Sequence, residues 1–383
     1  MKKKLKNNRI RNMVMSTIDE QIQELEDQIA KTQKNKATEH HIGQLKAKIA
    51  KLRRKKLDIQ MSKSGSGYGF DVKKSGDATV VLVGLPSVGK SSLISKITNK
   101  ESKVASYAFT TLDAIPGMLF HEGTKIQIVD LPGIIEGASE GKGRGKEILA
   151  VARTSDMIII LVTPENVDNQ IELIMNELYK VAIRPGLKKP YINIKKTDKG
   201  GIAISTLHRL THMSEKTFAG IMREYKISNA IVTVRSDPTM EELIDILEGN
   251  RVYPKKLIVV NKIEQYPKEV IDEIKEKYPD AVFISALKDI NLDILKDAIV
   301  DRLELIKIWM KKQGEKTDFS EPMIIKKGST VRDVCAKIHR KFVSEFRYAV
   351  VSGPSAKHPN QRVGIEHVLK DGDILTIVIN KYW

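Results

Sequence analysis

Apolar residues recur at helical spacing in the first sixty residues of the chain. Two stripes at intervals of three or four residues predict two amphipathic helices. Their members are Ile18, Ile22, Leu25 and Ile29 in the first stripe and Ile42, Leu45, Ile49 and Leu52 in the second. The polar stretch "TQKNKATEHH" separates them. We therefore predict a helical hairpin over residues 1–63.

A different pattern follows the connector "SKSGSGYGF", whose glycines and small polar residues are typical of a flexible link. Short apolar runs such as "TVVLVG", "KIQIVD" and "MIIILV" alternate with helical segments, and the runs resume at "KKLIVVNKIE" and "AVFISAL". Such alternation predicts an α/β fold with a parallel sheet and helices on both faces. We assign this domain to residues 64–167 and 239–316.

Between these two parts, over residues 168–238, the alternation of apolar runs and helical segments is less regular. A helical "DNQIELIMNELYKVAI" precedes the expected hairpin "YINIKKTDKGGIAIS", a helix near residues 218–225 and the strand "AIVTV". We expect a small inserted α/β domain. Its sequence indicates no function.

The last segment, residues 317–383, is rich in strands. A helix is expected to end near "KIWMKKQGEK", and "PMIIKKGST" is expected to form a hairpin. Thr330 can cap a helix over Val331–Phe342, and "RYAVVSG" and "DILTIVIN" predict further strands. The expected fold is a β-grasp domain.

The charge of the chain favours a polyanionic partner. Across 383 residues, 65 Lys and Arg face 48 Asp and Glu, a net charge of +17. RNA fits this balance better than an acidic protein surface does. Residues 1–63 hold 17 of the basic and 7 of the acidic residues. Their charge is compatible with an RNA-contacting arm and equally with a hairpin whose Lys and Arg only face water.

Composition also excludes several classes of protein. A single cysteine, Cys335, rules out an intramolecular disulfide and a cysteine-based zinc site. The longest apolar run is far too short for a membrane span, and the Lys-rich start has no apolar signal core. We expect a reduced cytoplasmic protein without a membrane partner.

The strongest motif is "GLPSVGKS", which lies between a predicted strand and a predicted helix. It matches G-x-x-x-x-G-K-[ST], whose backbone N–H groups cradle phosphates while the lysine reaches the β- and γ-phosphates and the hydroxyl takes a Mg²⁺ position. The predicted nucleotide-binding residues here are Gly84, Pro86, Ser87, Val88, Gly89, Lys90, Ser91 and Ser92.

Two further segments could complete the phosphate and Mg²⁺ site. Asp130 closes the strand "IQIVD" and could hold a Mg²⁺-bound water, and the amide of Gly133 could face the γ-phosphate. In "FTTLDAIPG", Thr111, or less favourably Thr110, could donate its hydroxyl to Mg²⁺. The predicted metal ligands are therefore Ser91, Thr111 and Asp130.

The motifs "NKIE" and "SAL" each follow a predicted strand and point to the base. A carboxylate in the fourth position of N-K-x-D accepts hydrogen bonds from guanine N1–H and N2–H₂, which adenine lacks. GTP or GDP is therefore the expected ligand. The predicted base-binding residues are Asn261, Lys262, Glu264, Ser285, Ala286 and Leu287.

Taken with the long switch segment "DLPGIIEGASEGKGRGKEILAVARTSD", these motifs resemble the developmentally regulated GTP-binding proteins, within the Obg-related GTPases. The resemblance covers almost the whole chain. It implies a C-terminal TGS domain, a role in translation on the ribosome or ribosomal RNA, and often a stabilising regulatory protein; DNA is not an expected partner.

One residue departs from the family pattern: Glu264 stands where the pattern has Asp, and an Obg-related branch with an altered motif uses ATP. An ATPase of the same fold is thus an alternative. A second alternative is an RNA- or ribosome-binding protein that holds its nucleotide as a structural ligand.

The residue after Gly133 is Ile134, where familiar relatives have a glutamine that orients water. Intrinsic hydrolysis should therefore be slow. The resemblance places the chain among GTPases with a hydrophobic residue at this position, some of which use a K⁺ ion, and Ser87 could ligate such an ion here. Glu136 could act on the water through a second water, or it could be only an exposed loop carboxylate. The catalytic candidates are Lys90, Thr111, Gly133 and Glu136.

Overall fold

A computed structural model describes residues 2–33, 35–61, 76–98, 116–130, 151, 153–312 and 314–380. The helices, in chain order, are α1 Lys2–Lys31, α2 Glu39–Met61, α3 Lys90–Ile97, α4 Val167–Lys180, α5 Glu215–Glu224, α6 Met240–Glu248, α7 Lys268–Lys277, α8 Leu292–Leu303, α9 Val331–Ile338 and α10 Arg340–Ser344. The strands are β1 Ala78–Gly84, β2 Pro116–His121, β3 Thr124–Asp130, β4 Met157–Val162, β5 Ile192–Lys196, β6 Ile202–Thr206, β7 Ala230–Val234, β8 Lys255–Val260, β9 Val282–Phe283, β10 Leu305–Met310, β11 Met323–Lys326, β12 Phe346–Ser352, β13 Gln361–Val363 and β14 Ile374–Ile379.

The chain divides into two compact units. Within its described residues, the first unit contains α1, α2 and the segment from Asn176 to Tyr253. The second contains the segments that carry β1 to β4, the first part of α4, and everything from Pro254 onward.

In the first unit, α2 packs against the inserted domain. Ala47 and Ala50 lie in one buried cluster with Phe218 of α5 and Leu243 of α6. The predicted helical hairpin is confirmed, and its second helix contributes to the core of the insert.

The insert is built on a three-stranded sheet in the order β5-β7-β6. Strand β7 pairs antiparallel with β5 and parallel with β6. The predicted hairpin "YINIKKTDKGGIAIS" is therefore wrong. Its two halves are strands, but β7 separates them, because a strand distant in sequence supplies hydrogen bonds to both.

The second unit contains the six-stranded sheet β2-β3-β1-β4-β8-β9. Strands β1 and β4 are buried at every position, as expected for parallel strands covered on both faces. The pairs among β3, β1, β4, β8 and β9 are parallel, and β2 adds an antiparallel edge. The carboxyl ends of the parallel strands meet at one edge of the sheet, which brings the end of β3 together with the loops after β1, β4 and β8.

The C-terminal sheet has the order β11-β10-β14-β12-β13 and packs on α9. The helix expected to end near "KIWMKKQGEK" is wrong at its end, because α8 stops at Leu303 and the chain continues as β10. Burial of Ile306 and Ile308 alternates with more exposed neighbours, and β10 pairs with strands on both sides. We propose that this domain begins at β10.

Two smaller expectations for the C-terminal domain also change. The stretch "PMIIKKGST" holds one strand, β11, whose partner is β10, so the expected local hairpin is wrong. The expected helix over Val331–Phe342 is two helices, because His339 adopts an extended backbone between α9 and α10. Thr330 is the N-cap residue of α9, and its N–H donates to the Asp333 carboxylate at 2.7 Å.

None of the helices in the part of the chain that the structure describes is both long enough and apolar enough to span a bilayer.

Candidate nucleotide site

The phosphate-loop motif occupies the turn between β1 and α3, with Gly84 ending the strand and Lys90 beginning the helix. A Cβ added to Gly84 would lie 2.5 Å from the carbonyl oxygen of Leu161. Gly89 has φ +94°, and a Cβ there would lie 2.6 Å from Nδ2 of Asn261. Both positions therefore require glycine. At Gly84 the reason is the close approach to β4, and at Gly89 it is the close approach to Asn261 together with the positive φ.

Lys90 folds back over the loop. Its Nζ donates to the carbonyl oxygens of Gly84 and Leu85, each at 3.0 Å. Partial burial lowers the pKa of Lys90, and the nearby charge of Asp130 acts in the opposite direction. The ammonium group is therefore placed at the loop, where a phosphate would offer it stronger acceptors than two neutral carbonyls.

Asp130 is the last residue of β3 and is only 8% exposed. Burial raises the pKa of Asp130, while Lys90 and a hydrogen bond from Ser91 pull it down. Its Oδ1 is buried without a hydrogen-bond partner. A buried oxygen of this kind fits the water shell of a Mg²⁺ ion, and the exposed Ser91 offers a hydroxyl at the start of α3.

Asn261 connects three of the motifs. Its Nδ2 donates to the carbonyl oxygen of Val88 at 2.8 Å, and its Oδ1 accepts from the N–H of Ala286 at 3.0 Å. The side chain is almost completely buried. Sequence reasoning placed Asn261 only among the base-binding residues, whereas the structure gives its amide a bridging position between the phosphate loop and the "SAL" loop.

Glu264 lies in the short 3₁₀ turn Ile263–Gln265, which follows Lys262 in a left-handed conformation. Both of its carboxylate oxygens are buried without a hydrogen-bond partner. Such an arrangement costs free energy unless a ligand supplies donors. The two donors on the edge of guanine match this pair of acceptors.

The "SAL" loop lies beside this turn, since the N–H of Ile263 donates to the carbonyl oxygen of Ile284 at 3.3 Å. Ser285 is buried, and its Oγ accepts from the N–H of Lys288 at 3.0 Å. Ala286 is buried as well, but Leu287 is 74% exposed. The hydroxyl of Ser285 thus stabilises the loop.

A cavity of about 470 Å³ adjoins the phosphate loop. Its walls include Ser87, Lys262 and Tyr266, together with residues after β4 such as Asn166 and Asn169. The two asparagines were not predicted from the sequence, although they follow a parallel strand that ends at the same edge of the sheet. Thr110 and Thr111, and Gly133, Ile134 and Glu136, lie outside the described residues, so their predicted roles stay predictions.

A parallel sheet with a phosphate loop, a strand-end aspartate and the two base motifs at one edge defines a P-loop GTPase. Family comparisons agree with this class. Residues 79–197 match the family described as "50S ribosome-binding GTPase", residues 199–305 match the "C-terminal region of MMR_HSR1 domain", and residues 306–379 match the TGS domain.

The particular family follows from whole-chain relatives. The chain is 47% identical to Developmentally-regulated GTP-binding protein 2 of Homo sapiens, over 94% of this chain and 98% of the relative. It is 45% identical to Ribosome-interacting GTPase 1 of Saccharomyces cerevisiae, over 95% and 100% of the two chains. It is 50% identical to an uncharacterized GTP-binding protein of Methanocaldococcus jannaschii, over 95% and 93%. The chain belongs to the developmentally regulated GTP-binding proteins and is a GTP-binding GTPase of that family.

Proposed function

We propose that this GTPase is a slow molecular switch that acts on the ribosome in translation. The observation that supports the nucleotide part most directly is Asn261, which hydrogen-bonds both the phosphate loop and the "SAL" loop. Because one buried amide holds both loops, phosphate and base contacts form on one connected scaffold. A nucleotide that contacts both loops therefore affects them together.

In this proposal, different residues of the chain bind the phosphates, the base and the metal ion. The loop amides and Lys90 bind the β- and γ-phosphates, and Glu264 and the "SAL" loop bind guanine. Ser91, Asp130 and Thr111 hold Mg²⁺, which when bound neutralises charge on the phosphate oxygens. The amide of Gly133 contacts the γ-phosphate, and Glu136 acts on the attacking water through a second water. Because Ile134 has no polar group to orient water, intrinsic turnover is slow.

The ribosomal part of the proposal rests on charge and on kinship. The yeast relative is named a ribosome-interacting GTPase. Residues 1–63 are strongly basic, but several Lys and Arg side chains of α2 already pair with carboxylates. Lys46 pairs with the carboxylate of Glu241, and Arg54 lies 3.4 Å from the carboxylate of Glu248. In sequence, the positive charge is most concentrated at residues 1–12, which hold six Lys and Arg and no Asp or Glu.

Co-sedimentation with ribosomes in the presence of GDP, a non-hydrolysable GTP analogue or no nucleotide tests the switch. We expect the GTP analogue to give the strongest binding, and deletion of residues 1–12 to reduce the salt dependence of that binding. Deletion of residues 1–60 is not a suitable variant, because it removes Ala47 and Ala50 from the core of the insert. Equal binding in all three nucleotide states would favour a ribosome-binding protein with a structural nucleotide.

Base selection should depend on Glu264. We expect GTP to bind far more tightly than ATP, and Glu264→Asp to tighten GTP binding or leave it unchanged. Glu264→Gln should weaken GTP binding by at least about tenfold, because its NH₂ group replaces one acceptor and faces guanine donors. Competition titrations against a fluorescent guanine nucleotide measure these affinities.

Glu269→Gln is the matched control, since Glu269 is an exposed residue in the first turn of α7. It should leave both affinities unchanged. Equal affinity for ATP and GTP in the unmodified protein would instead identify an ATPase of the same fold.

Hydrolysis should be faster in K⁺ than in Na⁺ at equal ionic strength, with a gain below about a hundredfold because a serine hydroxyl ligates K⁺ weakly. Ser87 has φ +63°, a conformation that asparagine tolerates better than most residues. The K⁺ effect should therefore shrink in Ser87→Ala and grow in Ser87→Asn. Phosphate release under both salts measures it. Identical rates for all three proteins would leave Glu136, or a group donated by the ribosome or a regulatory protein, as the missing element.

A further inference from the structure

The sheet of the inserted domain has one covered and one open face. Strand alternation sends Ile192, Ile194 and Val232 to the face that packs in the cluster with α5 and α6. The opposite face, called here the outer sheet face, consists of three rows of paired residues. These rows are Tyr191, Arg235 and Leu207; Asn193, Thr233 and Ser205; and Lys195, Ile231 and Ala203.

Strand register defines which residues form each row. Almost all of the side chains in these rows are exposed to solvent. Asn193 pairs with Thr233, and Ile231 with both Lys195 and Ala203. The first row continues the same strands, since the N–H of Arg235 donates to the carbonyl oxygen of Tyr191 at 3.1 Å. Of the nine side chains only Thr233 is partly buried, and the other eight are exposed.

Large apolar groups on this face are left in water. Tyr191 is 52% exposed, Ile231 50% and Leu207 68%. The Arg235 guanidinium lies 4.7 Å from the centroid of the Tyr191 ring. The pair therefore offers an aromatic ring and a guanidinium plane next to each other, and both are surfaces on which unpaired bases stack.

The charge around the outer sheet face suits a phosphate backbone. The segment that carries β5 and β6, residues 188–207, holds five Lys and a single acidic residue, Asp198. The face itself carries Lys195 and Arg235 and no carboxylate, and the exposed Lys189, Lys196 and Lys199 lie close by in sequence. This differs from α2, whose cations Lys46 and Arg54 have carboxylate partners.

We infer that the outer sheet face of the inserted domain is a binding site for single-stranded RNA. Bases stack on Tyr191 and Arg235, and the surrounding lysines contact phosphates. Single strands fit better than duplex, because stacking needs bases that are free of a partner strand. The choice of RNA over DNA rests on the proposed ribosomal role, whereas the site itself rests on the sheet.

Fluorescence anisotropy with the full-length protein, in the absence of nucleotide and ribosomes, tests the site. The probe is a labelled pyrimidine-rich 12-nucleotide RNA, compared with a duplex RNA of the same length. Tyr191→Ala should weaken single-strand binding by about tenfold, and Tyr191→Phe should retain it, because the ring rather than the hydroxyl is needed. Duplex binding should be unchanged in both variants.

A second measurement separates stacking from charge. An RNA with 2-aminopurine at its centre should lose fluorescence on binding, and Tyr191→Ala should abolish that loss. Lys195→Ala should reduce the slope of log affinity against log salt by about 0.7 for the single strand. Lys216→Ala removes the same charge from an exposed position on α5, the helix packed on the covered face, and should leave the slope unchanged.

Several results would overturn the inference. The first is that the unmodified protein does not bind the single strand. The second is that Tyr191→Ala loses as much affinity for the duplex as for the single strand. The third is that Lys216→Ala changes the salt slope as much as Lys195→Ala does. Unchanged RNA affinity with weaker ribosome co-sedimentation in Tyr191→Ala would assign the face to a protein partner instead. Lys90→Ala should bind the RNA normally, so failure of the switch and failure of this site are distinguishable.

Discussion

Replacing Lys90 by alanine should lower the rate of GTP hydrolysis by at least about a hundredfold, because removal of one preorganised transition-state contact costs a factor of this size. The ammonium group already lies at the loop, 3.0 Å from two of its carbonyl oxygens. With Lys90 removed, Asp130 would also lose its opposing charge. Single-turnover phosphate release and titration with a fluorescent GTP analogue measure the effects on rate and binding.

Lys96→Ala is the matched control for this charge. Lys96 lies on the same helix but is more exposed and pairs with Asp289 at 2.8 Å. Its replacement should leave hydrolysis and GTP affinity nearly unchanged. If Lys90→Ala kept its full turnover while Lys96→Ala lost it, the phosphate-loop assignment would be wrong.

Gly89→Ala should weaken GTP binding at least about tenfold, through about 1–2 kcal/mol of backbone strain at positive φ together with displacement of a neighbour. The added Cβ would lie 2.6 Å from Nδ2 of Asn261. That amide is the donor to Val88 and the acceptor from Ala286, so its movement disturbs phosphate and base loops together. Thermal unfolding with and without GDP, combined with a binding titration, separates loss of stability from loss of affinity.

Gly328→Ala isolates the contribution of the neighbour. Gly328 has φ +85°, close to the +94° of Gly89, and no atom lies within 4 Å of its added Cβ. This variant should lower stability modestly and leave GTP affinity unchanged. Equal affinities for the two variants would mean that the contact with Asn261 has no role in nucleotide binding.

Features that depend on neighbouring residues could be predicted from the amino-acid sequence. Strands β1 and β4 were predictable because continuous apolar runs bounded by turns have few other stable arrangements. The turn before α3 was predictable because a phosphate loop requires glycines, lysine and a hydroxyl at fixed spacing. The order of the motifs on successive strands then placed the candidate nucleotide site at one sheet edge.

Contacts between segments that are distant in sequence could not be predicted in this way, because they depend on how the whole chain packs. Strands β5 and β6 look like a hairpin in sequence, but β7 lies between them because it offers hydrogen bonds to both. Charge counts could not distinguish cations that face water from those such as Lys46, whose partner Glu241 lies 195 residues further along the chain. The open face around Tyr191 was equally hidden, since exposure depends on which elements pack together and not on local periodicity.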